Sequence, residues 1–161
     1  AQPIIGYNYG ALQFGRVKHT LKLALIAATT IVLVGFILLQ SFPGQVLGAF
    51  TSDRKLVNIG VYGMHLLLLA LPVVGFQVVS ANFFQAIGKA FKSLILSMLR
   101  QVIVLIPMLI ILPRFLHLEG VWIAAPISDL TSALVTALVL LPEVRMLNKK
   151  ERALLQPQRL S

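Results

Sequence analysis

Asp129 is the one carboxylate set inside an apolar stretch of this sequence. A carboxyl in that setting either exchanges a proton or ties neighbouring helices together. Its neighbours Ser128 and Thr131 offer hydroxyls that suit the second role. His65 lies in another apolar stretch. Counted along each stretch at 1.5 Å per residue, both side chains sit about nine residues, roughly 13 Å, from the same side of a membrane. A histidine and an aspartate at equal depth suit a proton relay where their helices meet, whereas a histidine bonded to a backbone carbonyl serves packing alone. Arg100, also inside an apolar stretch, either snorkels to the headgroups or pairs with a buried acid. Gln77, Ala81, Phe84 and Gln85 follow an i, i+4, i+7, i+8 spacing, one helical stripe of amides with an aromatic ring. Such a stripe suits amphipathic ligands in a cavity, and it suits an interhelical contact in lipid equally well. Asn82 lies off the stripe near the end of the same segment and joins Gln77, Phe84 and Gln85 as a candidate cavity residue.

The elements that must carry these residues follow from composition. The chain has 161 residues, 58% of them hydrophobic and only 12% charged, and a mean hydropathy of +0.89. A soluble domain of that length does not tolerate so apolar a sequence. A spanning helix needs about 20 apolar residues to cross a hydrocarbon core roughly 30 Å thick. Stretches at residues 21–39, 56–79 (with an extension to 88), 94–112 and 120–141 meet that requirement. The predicted fold is therefore an all-α, polytopic transmembrane bundle of about four spans. Residues 1–20 precede it as the end of an earlier helix and a loop, and residues 142–161 follow as a basic tail. The first span starts too far along to be a cleavable signal, and the start without Met reads as the interior of a longer chain.

Charge predicts the orientation. The formal net charge is +9, and the basic residues flank the spans. Arg16 and Lys18 precede the first span with Lys22 at its very start, Lys89 and Lys92 join the second to the third, and Arg145, Lys149, Lys150, Arg152 and Arg159 follow the fourth. The other side holds only Arg54, Lys55 and Arg114. The positive-inside rule then places both chain ends on the cytoplasmic side of the membrane, as an even number of spans requires. The tail has two readings, a segment lying on the anionic inner leaflet or a solvated basic extension. Pro72, Pro107 and Pro126 stand within spans, where each removes a helical hydrogen bond and permits a kink.

The opening QPIIGYNYGA, with Pro3, Gly6, Asn8 and Gly10, followed by Arg16, Val17 and Lys18, closely resembles a segment of the multidrug and toxic compound extrusion (MATE) family. Further matches in the same order are SANFFQAIGKA at 80–90, Leu99-Arg100-Gln101 with Pro107, Gly120-Val121-Trp122, and Ala125-Pro126-Ile127-Ser128-Asp129. The resemblance covers about residues 1–145. It implies that the spans are the ninth to twelfth helices of a twelve-helix transporter with two six-helix lobes, most of the second lobe. It further implies export of cationic and amphipathic drugs against inward H⁺ or Na⁺ by alternating access, with the first lobe as the missing partner. One departure is the absence of Asp or Glu between Leu56 and Gln85, where some branches carry a coupling carboxylate.

Other function classes find little support. There is no cysteine, no HExxH and no GxxxxGKS, so thiol chemistry, that zinc-protease pattern and a phosphate loop are absent. No metal or organic cofactor is expected beyond the coupling ion. The basic residues border lipid instead of forming a nucleic-acid face. The alternatives are a lipid-linked oligosaccharide flippase of related architecture, which would show more cavity cations than Arg100, and a small structural membrane subunit.

Overall fold

The computed structural model describes residues 1–155. They form helices α1 (Gln2–Gly10), α2 (Phe14–Ser41), α3 (Pro43–Gly48), α4 (Arg54–Leu67), α5 (Leu71–Ala86), α6 (Ala90–Met98) and α7 (Leu105–Leu155), with a π-helical segment at Leu99–Val104 between the last two. The sequence explains most of the boundaries. Pro3 and Pro43 sit in the first turns of α1 and α3, where their missing N–H groups cost nothing. Asp53 caps α4 by accepting the Lys55 backbone N–H at 2.8 Å. Gly88, at φ +79°, turns the chain from α5 into α6.

Four apolar arms cross the bundle. α2 is one, and α4 with α5 make a second, bent by 49° across a short break. The helical run from Ala90 to Leu154 has 65 residues. At 1.5 Å per residue it would be about 97 Å long if straight, some three times a bilayer's hydrocarbon thickness. It folds back instead at His117, whose φ of 51° and ψ of −128° break the helix. The two arms then run antiparallel, and a Cβ on Gly120 would lie only 2.5 Å from the Leu112 carbonyl oxygen. No side chain fits at that approach, which accounts for glycine there.

Two expectations change at this level. Pro72 does not kink a continuous span from within. The helix ends at Leu67 and restarts at Leu71, with Pro72 in the first turn of α5, so the proline starts a second helix where it has no N–H to lose. Residues 142–155 are not a separate tail. They continue α7, with Leu147 fully buried and Asn148 and Glu151 both accepting from Lys18. An apolar and hydrogen-bonding face on this stretch packs it against α2, where neither a leaflet-bound nor a free tail would lie. Arg159 and the rest of 156–161 fall outside the described residues.

The core gathers toward the end that holds Lys18, Lys89 and Lys150. Ile5, Phe14, Val17, Leu21, Phe83, Phe84, Ile87, Leu96, Leu140 and Leu147 form one buried cluster there. Ion pairs seal it: Glu143, 4% exposed, takes Lys89 and Lys92, and Glu151 takes Lys18. Lys150 sits 5.6 Å from the rings of Tyr9 and Phe14. These contacts bring the basic residues before, between and after the spans to one end of the bundle, called the basic end below.

Candidate functional site

The polar centre of the bundle is built where the π segment meets the second arm of α7. Pro107 cannot donate to Ile103, and its ring crowds that carbonyl in a regular helix. The turn ahead of it is widened, so that the Leu105 N–H reaches back to the Arg100 carbonyl. That carbonyl also accepts the Ser128 hydroxyl at 2.6 Å. On the same turn the Arg100 Nε donates to Asp129 Oδ1 at 2.6 Å. From α5, the Gln77 amide donates to the Asp129 carbonyl oxygen, also at 2.6 Å. Three arms are thus joined through adjacent residues. Pro126 lies inside the helix one turn before Asp129 and leaves the Trp122 carbonyl without its usual helical donor.

Asp129 is only 8% exposed, while the Arg100 side chain is 31% exposed. An unpaired charge at such depth costs about 2.5–3.5 kcal/mol on insertion scales, so pairing is what permits either residue to be there. Arg100, but not Asp129, lines a cavity of about 140 Å³, together with Gln77, Val78, Ala81, Leu96, Ser97 and Gln101. A second groove shares Ser97 and adds Gln85, Ser93 and Phe91 toward the basic end. Gln77, Ala81 and Gln85, one turn apart, therefore line a trough between α5 and α6.

Other candidates lie elsewhere. His65 does not face Asp129. Its Nδ1 contacts Gln40 Oε1 at the end of α2, and its carbonyl accepts the Gln40 amide at 3.3 Å. Equal depth fails because the two spans do not start level: Gly63, seven residues past Leu56, packs on Trp122, only two past Gly120, so His65 ranks with the first turns of α7's second arm while Gln77 meets Asp129. Phe84 is not a cavity wall. It is fully buried, edge-to-face with Phe83 at 5.5 Å, and carries the Lys92 ammonium 5.6 Å from its ring. Asn82 is exposed and lines neither groove. In α1, a Cβ on Gly6 would stand 3.1 Å from the Ala86 carbonyl oxygen, so α1 lies close on α5 there. Asn8 is buried and donates to the Ile4 carbonyl at 2.8 Å, while Gly10 has open space around it.

Sequence reasoning missed Glu143. It stands at the edge of an apolar run beside Pro142, and only the fold brings Lys89 and Lys92 to it. The available signal was that it is one of only two acids, with Glu151, in a strongly basic flank. Among the described residues, no group of three His, Asp or Glu side chains gathers as a metal site.

A helical bundle of apolar arms, tied at its centre by an ion pair with a buried acid beside a small, mostly apolar cavity, has the construction of a membrane transporter. The MatE family model matches residues 1–111, and the chain belongs to that family. Among the relatives it resembles is the multidrug export protein MepA of Staphylococcus aureus, 26% identical over 137 residues, which cover 85% of this chain and 30% of the relative. The structure of the MATE multidrug transporter DinF-BH in complex with R6G superposes with a TM-score of 0.83 at 42% identity, over 88% of this chain and 32% of that one. An inward-facing multidrug resistance MATE family transporter of the MOP superfamily superposes at 0.84 with 25% identity, over 92% and 35%. The chain therefore spans about a third of the length of the proteins it matches.

Proposed function

We propose that this chain is part of the second lobe of a bacterial multidrug exporter. In this reading it works with a first lobe to move cationic or amphipathic xenobiotics outward by alternating access, in exchange for H⁺ or Na⁺. The observation that carries the proposal is the pairing of buried Asp129 with Arg100, which lines the 140 Å³ cavity, in a chain of the MatE family. Asp129 offers the carboxyl whose charge state a coupling ion would change, and Gln77 ties that change to α5. The bundle's basic end faces the cytoplasm by the positive-inside rule, with both ends of the chain on that side. Membership of a MatE branch and a cavity cation already neutralised by Asp129 weigh against the flippase reading.

The test uses the full-length protein that contains this segment, reconstituted in proteoliposomes, with ethidium efflux measured under an imposed pH or Na⁺ gradient. Gradient-driven efflux that disappears in Asp129→Asn at equal insertion supports both the function and the role of Asp129. Unchanged efflux in that variant removes Asp129 from coupling. No efflux from the unaltered protein under either gradient would falsify the exporter reading.

A further inference from the structure

One face of α7's second arm changes character while the helix itself runs on through Pro142. Leu130, Leu134, Leu138 and Leu141 are each more than half exposed and form an outward apolar stripe. Beyond them, Arg145, Lys149 and Arg152 are exposed. At 3.6 residues per turn all seven fall within about 100° of arc, so the leucine stripe leads straight into a basic one. The other side of the same turns is occupied. Glu143 and Leu147 are buried there, Glu143 pairs with Lys89 and Lys92, and Glu151 pairs with Lys18. Both acids of this stretch are thereby taken, and no ion pair among the described residues uses Arg145, Lys149 or Arg152. The three bases line a groove of about 240 Å³ together with Asn148. Like charges at i, i+4 destabilise a helix, and an anion in the groove would relieve them.

Depth and direction say which anion. Arg145 stands about 6 Å past Leu141 along the helix, the level of a headgroup layer that adds roughly 5–7 Å to each side of the hydrocarbon. Side chains on a helix lean toward its N-terminus, so Lys149 and Arg152, one and two turns farther along, lean back toward that layer. A phosphate accepts paired N–H groups from arginine and meets lysine as a point charge. An acyl chain attached to that phosphate lies along Leu141, Leu138 and Leu134. We propose that this groove seats the headgroup of an anionic phospholipid from the leaflet at the basic end, with one acyl chain against the leucines. The alignment of leucines and bases on one face selects a lipid over a free phosphate, which would have no use for the stripe. This site goes beyond the exporter reading and stands whether or not the protein exports drugs.

The experiment titrates the full-length protein in detergent with phosphatidylglycerol and, separately, with phosphatidylcholine of the same chains, and reads bound lipid by native mass spectrometry. The unaltered protein holds one phosphatidylglycerol more tightly than any phosphatidylcholine. Each basic residue near a membrane surface is worth about fivefold in affinity for anionic lipid. Arg145→Gln/Lys149→Gln/Arg152→Gln therefore weakens the tightest site about a hundredfold, and Lys149→Gln, which serves if the triple variant does not insert, about fivefold. Arg16→Gln/Lys22→Gln removes exposed charge from the same end and leaves that site unchanged. Equal weakening in the two sets of variants overturns the site in favour of diffuse attraction. Equal retention of the two lipids by the unaltered protein overturns it as well. Glycerol phosphate bound as tightly as the lipid would make the ligand a free phosphate and overturn the role of the leucines.

Discussion

The two ends of this bundle are made differently. At the basic end, α1, α2, α5 and the last turns of α7 close on Phe83, Phe84, Val17 and Leu147, and three lysines are paired with two buried or half-buried acids. At the other end the arms are held by little. Gln40 meets His65, Tyr62 and Trp122 stack edge-to-face at 5.7 Å, and the Tyr62 hydroxyl reaches Glu119 at 3.3 Å. Most of α2 presents its side chains outward there, as Ile26, Ile31, Val34 and Ile37 do. Apolar side chains gain nothing from one another that lipid would not supply equally. Tight packing therefore appears where lipid gives way to polar surroundings and where specific ion pairs and aromatic contacts repay it. The Arg100–Asp129 pair lies between the two regimes. Its partner Gln77 stands on α5, just past the break that separates α5 from the looser α4.

That contrast can be broken at its strongest point first. Glu143→Ala leaves two partly exposed lysines, Lys89 and Lys92, without their buried acid, which should lower the stability of the full-length protein by about 3 kcal/mol, the loss of two hydrogen bonds between charged groups. A thermal unfolding midpoint in detergent checks this, and adding Lys89→Gln and Lys92→Gln should restore part of the loss. An unchanged midpoint would mean that the basic end is not the anchor. Phe84→Ala should cost about 3 kcal/mol through the cavity it leaves, with drug affinity preserved in the protein that remains folded. The opposite pattern, full stability with weakened drug binding, would return Phe84 to the cavity wall.

Pro72→Ala tests the loose side. The break at Leu68–Ala70 sits next to it, and an alanine permits α4 and α5 to join into one straighter helix. Stability should change by about 1 kcal/mol or less, while the distance between spin labels near Arg54 and Gln85 lengthens from its value across the 49° bend. A bend that persists in the alanine protein would assign it to packing by neighbouring helices. Smallest of all, Lys18→Gln removes a half-exposed pair with Glu151 and should shift stability by about 0.5 kcal/mol. A shift as large as that of Glu143→Ala would show that the seal depends on α2 as much as on α5 and α6.

The residues themselves show why part of this site was legible and part was not. Asp129 and Arg100 announce themselves because a charge in an apolar run needs an explanation wherever it occurs. The partner does not follow from the run: pairing across 29 residues depends on the hairpin at His117 and on the widened turn ahead of Pro107. His65 was placed by counting from span ends assumed to be level, and the packing of Gly63 on Trp122 shows them offset, which leaves His65 beside Gln40. Phe84 was placed by helical spacing, which says that it shares a face with Gln77 and Gln85 within a span of two turns. At about 100° per residue, Phe84 lies about 60° to one side of the middle of the Gln77–Ala81–Gln85 row and a full residue's turn from Gln85, which buries it beside Phe83 and Lys92.

Hydropathy and charge determined that this protein crosses a membrane in about four apolar arms with its basic residues at one end, because bilayer thickness and backbone hydrogen bonding leave a chain so few choices. Which helices touch was left to the tertiary structure. In lipid any apolar face packs nearly as well as another, so the pairing of arms is decided by the few polar contacts, close glycine approaches and helix breaks that only the folded chain brings together.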